Sequence, residues 1–355
     1  LTSLGRVHAA EASYNNQWGV PLTLARMPAD TDVAIVEIGM NHPGEIAPLS
    51  RLTRPHVALI TTVVGAHMEA FDDLDGIAHE KASIFEGLEP GGIAIIPGDL
   101  GVSGILRAAA GPGAVTFGPD HANDWHLISV RLGAASVTGQ AGTPLGPLLF
   151  KIASPGRHFA ENALGVLAVA DAVGADMAIA IADLGRWQPP AGRGTREELV
   201  LDDFAPGMSL ILIDDAFNAN PASLDAAFEV LVAQSPTDGV GRVGRGRRIA
   251  ILGDMLELGA DEVAQHARVA TSAHLANVDT VHCAGPLMAA LWHALPDEQR
   301  GVQLGDALAL AQQAHRLVDA GDIVLVKGSK GSKISLVVDA IRKLGHARDH
   351  QNGNE

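Results

Sequence analysis

Short, continuous apolar runs punctuate this chain, and no other feature restricts its fold as much. They are Val33–Ile38, Val57–Val63, Ile93–Ile96, Leu210–Ile213, Ile249–Leu252, Val278–His282 and Ile323–Val326. Runs of 4–7 apolar residues without polar alternation read as strands buried on both faces. Helix-length segments lie between and after them, at Ile77–Leu88, Ala160–Val173, Pro221–Ala233, Asp261–Ala276, Asp306–Ala320 and Ile334–Leu344. The pattern predicts an α/β protein with mostly parallel sheets. Trp125–Ile152 breaks the rhythm with polar–apolar alternation and Gly-rich turns, which predicts a small hairpin subsheet. Gln188–Arg196 (QPPAGRGTR) reads as a linker. A length of 355 residues suits two domains. The expected division is 1–200, then 201–345, then a polar, frayed tail over 346–355.

Charge narrows the partners. With 25 Lys and Arg against 41 Asp and Glu the net charge is −16, which argues against a nucleic acid or an anionic membrane surface. No stretch approaches the ~18 uninterrupted apolar residues of a membrane span. The first residues lack the charged-then-apolar order of a signal peptide. Cys283 is the only cysteine, so an internal disulfide, a CxxC pair and a multi-cysteine metal site are excluded. A lone thiol fits a reducing, cytoplasmic setting. Three motif-like stretches fail. Gly239–Gly244 (GVGRVG) precedes a strand instead of following one. No Gly-Lys pair exists to make a Walker-type phosphate loop. His67-Met68-Glu69 has no CxxC to complete a deaminase zinc site.

Several polar residues stand out. Glu37 follows the run Val33–Val36, and Asp214, Asp215 and Asp254 follow two others. Ligands of open parallel sheets gather beyond the carboxyl ends of strands. Such carboxylates either line a cation-handling cleft or cap the next helix or turn. Lys81 falls on the inward stripe Ile77, Ile84, Phe85 and Leu88 of its expected helix. A buried ammonium is expensive, so the position asks for an ion pair with Glu80 or Glu86, a snorkelling stem, or a neutral amine. A neutral amine can take up carbon dioxide as a carbamate, an anionic oxygen ligand suited to Mg²⁺. His67 follows the strand ending at Val63 by a short turn, as either a loop residue or a ligand.

The motifs together resemble a family, the Mur ligases, and within it the branch that adds D-alanyl-D-alanine. Asn15–Thr23 (NNQWGVPLT), Val36–Gly39 with Gly44–Ile46, and the order Arg54-Pro55, Ala66-His67, Lys81 all match its pattern. So do Asp214–Pro221 (DDAFNANP), Leu252–Gly259 (LGDMLELG) and Val326–Ser329 (VKGS). The resemblance runs from about residue 8 to 344. It implies a central ATP-binding domain of mostly parallel sheet, then a Rossmann-like C-terminal α/β domain. It also implies ATP-dependent joining of D-alanyl-D-alanine to UDP-N-acetylmuramoyl-tripeptide through an acyl phosphate, in peptidoglycan synthesis. Carried over by position, Glu37 holds one Mg²⁺ between the ATP phosphates, His67 and a carbamoylated Lys81 hold a second near the acyl phosphate, and the three form the catalytic set. Asn162 meets adenine, Arg193 the phosphates, and Asp215 and Asn220 the nucleotide. Lys327 and Ser329 match the closing motif. There are departures. Phe217 stands where the family has Tyr, and Lys330–Lys333 is unusually basic. The family's UDP-sugar domain and GKT phosphate loop, which precede the NN segment, have no counterpart here, and Leu1–Gly5 resembles the end of the helix after that loop. The expectation is therefore a fragment with little activity alone. The competing expectations are another Mur or folylpolyglutamate-type ligase, and a non-catalytic remnant that only binds ligand or partner.

Overall fold

The computed structural model describes residues 1, 4–65, 70–205 and 207–348, and falls into two compact units, one of Leu1–Arg131, Val137–Ala153 and Arg157–Trp187, the other of the chain from Gln188 onward with the short segments Leu132–Ser136 and Ser154–Gly156. The first contains β1 (Val7–Ala9), α1 (Gly19–Ala25), β2 (Val33–Ile35), α2 (Ile46–Thr53), β3 (Val57–Leu59), α3 (Leu74–Ala82) and β4 (Ile93–Pro97). It continues with α4 (Ser103–Ala110), β5 (Val115–Gly118), β6 (Trp125–Leu132), β7 (Val137–Gly142), β8 (Leu148–Ile152), α5 (Arg157–Ala172) and α6 (Met177–Leu184). Its main sheet has the order β3-β4-β5-β6-β7-β8. The pairs from β3 to β6 are parallel, and β7–β8 is the antiparallel hairpin read from the alternation. Ala160, Ala163, Leu164 and Leu167 bury one face of α5. Ile77, Ala78 and Ala82 of α3 join Ile96 and Leu106 in a second apolar cluster.

Two expectations fail in this unit. The run Val33–Ile38 is a strand for three residues only; it pairs with β1 in a separate two-stranded parallel sheet and leaves Ile35 48% exposed. Apolar continuity alone therefore does not show burial on both faces. The helix expected over Ile77–Leu88 starts earlier, at Leu74, because the Asp73 carboxylate accepts the Gly76 N–H as an N-cap. It tightens into a 3₁₀ turn over Ser83–Gly87.

The second unit contains β9 (Thr195–Val200), β10 (Ser209–Asp215), α7 (Pro221–Val232), β11 (Arg248–Gly253), α8 (Glu262–Arg268), β12 (Thr280–Ala284) and α9 (Met288–Ala294). Then come β13 (Arg300–Leu304), α10 (Ala307–Ala311), α11 (Ala314–Leu317), β14 (Ile323–Lys327), α12 (Ser335–Arg342) and β15 (His346–Ala347). The sheet order is β13-β12-β11-β14-β10-β9-β15. Five strands are parallel, and β9 and β15 close one edge antiparallel. Alternate residues serve opposite cores. Ala250, Leu252 and Leu325 pack with α7 and α9, whereas Ile249, Ile251, Val324 and Val326 pack with α10 and α12. Helices on both faces are why these strands are apolar at every position.

The boundary expected near residue 200 falls earlier. Thr195–Val200 pairs with β10, so the supposed linker ends in a strand. Its sequence, TREELV, carries charge on a strand next to the two-residue edge strand β15 and so lacks the buried-run signature. The helices expected over Asp261–Ala276 and Asp306–Ala320 are shorter pieces joined by turns. His346 and Ala347 of the expected frayed tail pair with β9.

Candidate functional site

In the first unit the sequence candidates are Glu37, His67, Lys81 and Asn162. Glu37 lies two residues past β2, exposed, with its Oε1 accepting from Asn15 Nδ2 at 2.8 Å. Asn15 grips the same loop a second time, its carbonyl accepting the Gly39 N–H at 2.8 Å. A Cβ on Gly39 would lie 2.8 Å from that Asn15 amide, so the glycine of the E-x-G motif makes room for the residue that orients Glu37. Asn16 serves the fold instead: its Oδ1 accepts the N–H groups of Trp18 and Gly19 at the start of α1. Glu37 Oε2 has no partner among the described residues and is available to a cation.

Lys81 lies in the last turn of α3, half-buried. Glu80 and Glu86, the carboxylates nearest it in the described sequence, do not neutralise it. Glu80 is buried, and its two oxygens accept the N–H groups of Gly44 at 2.7 Å and Ile46 at 2.8 Å. Glu86 pairs with Arg51. Lys81 has no hydrogen-bond or ion-pair partner among the described residues, and burial pushes its pKa below the ordinary lysine value. Glu80 and Glu86 are therefore not its partners, and desolvation shifts the amine toward its neutral form. His67 lies outside the described residues. Among the described residues no three His, Cys, Asp or Glu side chains gather as a metal site. The expected set would need His67 and the carbamate oxygens of Lys81, neither of which such a grouping contains. The free carboxylate oxygen on Glu37 nonetheless fits a hard divalent cation, whereas Lys81 would fit one only as a carbamate, through its oxygens. Asn162 is exposed on α5.

The second unit treats its strand-end carboxylates differently. Asp214 pairs with Arg342 at 2.9 Å, and Arg342 also pairs with Glu197. Asp215 pairs with Lys327 Nζ at 2.7 Å; this ammonium is 3% exposed and also donates to the Asn218 carbonyl. Burial pushes the Asp215 carboxyl up, and the Lys327 charge opposes the shift. Asp254 accepts the Met288 N–H at the start of α9 at 2.8 Å. Within this unit the expected cation-handling cleft of strand-end carboxylates is therefore not present: the three are neutralised by an arginine, a lysine and a helix N-terminus. Asn220 is the N-cap of α7, in a capping box with Ser223 and with Pro221 at the first turn. Its Oδ1 is committed to the Ser223 N–H at 2.8 Å, which leaves only its amide donors for a nucleotide. Ser329 knits the closing motif to LGDMLELG, accepting the Leu256 N–H and donating its own N–H to the Asp254 carbonyl. Arg193 stacks over the Phe217 ring at 4.3 Å, with Lys330 at 5.6 Å. The aromatic face, not a hydroxyl, is what this position contributes.

Four participants escaped sequence reasoning. Asn15 was visible only as part of a motif. Glu80 was weighed only as a partner for Lys81. Arg342 and the Lys330–Phe217 contact carried no signal, because each joins segments far apart in the chain.

Comparison with known proteins assigns both units to one class. The Mur ligase middle domain matches residues 1–170, and the Mur ligase, glutamate ligase domain matches 198–330. The UDP-N-acetylmuramoyl-tripeptide–D-alanyl-D-alanine ligase of Escherichia coli is 33% identical over 350 residues, covering 97% of this chain and 73% of that protein. MurF from Acinetobacter baumannii superposes with a TM-score of 0.82 at 26% identity, covering 96% of this chain and 72% of that one. The MurF ligase of Thermotoga maritima, solved with ADP, shares the fold with a TM-score of 0.79 at 22% identity, over 97% of this chain and 75% of that one. The chain belongs to the Mur ligases, and among them to the UDP-N-acetylmuramoyl-tripeptide–D-alanyl-D-alanine ligase family. No described helix is long and apolar enough to cross a membrane.

Proposed function

We propose that this protein joins D-alanyl-D-alanine to UDP-N-acetylmuramoyl-tripeptide at the expense of ATP, in the cytoplasmic phase of peptidoglycan synthesis. Family membership supports the reaction, and Lys81 is the observation that ties it to this chain. In this reaction the tripeptide carboxylate attacks the γ-phosphate of ATP, ADP leaves, and the amine of D-alanyl-D-alanine displaces phosphate from the acyl phosphate. Mg²⁺, when bound, neutralises charge on the transferring phosphoryl group and aligns the reacting oxygens.

The chain's own residues hold and orient. The neutral Lys81 amine adds to carbon dioxide, forming an N–C bond and releasing one proton. A half-buried neutral amine thereby becomes an anion whose two oxygens would suit Mg²⁺. Glu37, through its free oxygen, and His67, through a ring nitrogen, would hold Mg²⁺. Asn162 hydrogen-bonds adenine. Arg193, braced on Phe217, faces the phosphates, with Asp215 and the Asn220 amide on the nucleotide. Backbone N–H groups and a lysine around the β- and γ-phosphates are a further requirement. These 355 residues contain no Gly-Lys pair to supply them. The 355-residue chain alone should therefore release phosphate on the order of 10³-fold more slowly than the E. coli ligase. The comparison uses both substrates, ATP and Mg²⁺; rates within tenfold would show that the loop is dispensable here.

Lys81→Ala tests the central role, in whichever length of the protein ligates. Ligation should fall below detection and partly return with short-chain carboxylic acids, which replace the carbamate. Undiminished turnover in Lys81→Ala without additive would refute the role.

A further inference from the structure

We infer that Glu80 is a positioning residue that locks the Glu37 loop to the Lys81 helix and thereby sets the affinity of the cation site. The inference rests on the proposed metal roles of Glu37 and Lys81 and adds a residue to which they assign no part.

Glu80 immediately precedes Lys81 on α3, yet its side chain turns away to a segment 34–36 residues earlier in the chain. Its two oxygens take the N–H groups of Gly44 and Ile46, where the loop leaving Glu37 becomes α2. These are charge-assisted bonds to backbone, made by a carboxylate only 9% exposed. The bend that presents both N–H groups uses Gly44 at φ +85°, a conformation costly for other residues. The loop is tightened from within by Glu45, which accepts the Asn41 N–H at 2.8 Å. At its start it is held by Asn15 on Glu37 and Gly39. From Glu37 to Ile46 the segment is therefore pinned at both ends, and the far pin is the residue beside Lys81. Losing the Glu80 pin frees the loop that carries Glu37 to move against the helix that carries Lys81. Residues that orient metal ligands typically contribute 10–100-fold to affinity. Glutamine is the sharp substitution: one of its two terminal atoms can accept, but the other is an NH₂ group facing a second N–H.

The test is Mn²⁺ binding, followed by electron paramagnetic resonance of the free ion in air-equilibrated buffer. The unaltered protein, Glu37→Gln, Glu80→Gln and Thr116→Val are compared. Thr116 makes buried hydrogen bonds to Asp124 in the same unit, so its loss controls for general destabilisation. Expected are about tenfold weaker binding in Glu80→Gln, a larger loss in Glu37→Gln, and no change in Thr116→Val. Unchanged affinity in Glu80→Gln beside a weakened Glu37→Gln overturns the inference and leaves the metal reading standing. Equal binding in the unaltered protein and Glu37→Gln overturns both. If Glu80→Gln does not fold, hydrogen exchange in the unaltered protein decides. Coupling is reciprocal, so Mg²⁺ must slow exchange of the Gly44 and Ile46 amides if their clamp favours the ion. Exchange unaffected by saturating Mg²⁺ overturns the inference.

Discussion

Lys81 and Lys327 are both lysines withdrawn from water, but the protein treats them in opposite ways. Lys327, 3% exposed, has a carboxylate at 2.7 Å and a carbonyl at 2.8 Å. Lys81 has no such partner among the described residues, although Glu80 and Glu86 are close in sequence and engaged elsewhere. A buried charge that is paired serves the fold, and one left unpaired is a cost that the fold alone does not explain. The contrast teaches that burial marks neither lysine as functional; what the nearby carboxylates do distinguishes them.

The largest expected effect separates activity from stability. Lys81→Met should lower ligation on the order of 10³-fold or more while leaving urea stability unchanged or slightly higher, since a desolvated amine is removed. A large stability loss in Lys81→Met would make the two lysines alike and break the contrast. Lys327→Met should do the reverse first, costing about 3–5 kcal/mol in urea unfolding because Asp215 is left buried and uncompensated. Adding Asp215→Asn should recover part of that loss. Additive losses in the double variant would mean that the pair is not a unit.

The pH dependence sharpens the contrast. Burial holds the folded-state pKa of Lys81 below its ordinary 10.5, so between the two values the unfolded chain binds more protons. Stability relative to Lys81→Met should therefore rise with pH through that window up to 10.5, as read from urea midpoints. A falling difference would mean that the amine has gained a partner. Smaller still is the cap: Asn220→Ala should cost about 1 kcal/mol by losing the Ser223 N–H bond. The smallest is Phe217→Leu, about 0.5–1 kcal/mol from losing the face under Arg193, with Phe217→Tyr neutral.

How much of this was legible follows the range of each interaction. β10, β11 and β14 were readable to within a residue or two, because a strand covered on both faces must be apolar at every position. Asn220-Pro221 marked the start of α7 for the same local reason. β9 was not readable, since a strand covered on its outer side only by the short β15, and binding Arg342 through Glu197, tolerates charge and resembles a loop. Ile35 misled because apolar continuity says nothing about what covers a strand. At the site, helical spacing alone exposed Lys81 as anomalous. Glu80 could not be assigned, because its partners are backbone N–H groups more than 30 residues away, which no side-chain pattern records. The carboxylates Asp214, Asp215 and Asp254 looked equivalent because their strand positions are; their partners, Arg342, Lys327 and the start of α9, make them different.

The claim that carries the account is that the Lys81 amine is free to become a carbamate. The direct measurement is ¹³C NMR of the protein equilibrated with ¹³C-bicarbonate and Mg²⁺. A single carbamate carbonyl resonance, strengthened by Mg²⁺ and missing from Lys81→Met, is the predicted result. A spectrum without that resonance, or one unchanged in Lys81→Met, would contradict it.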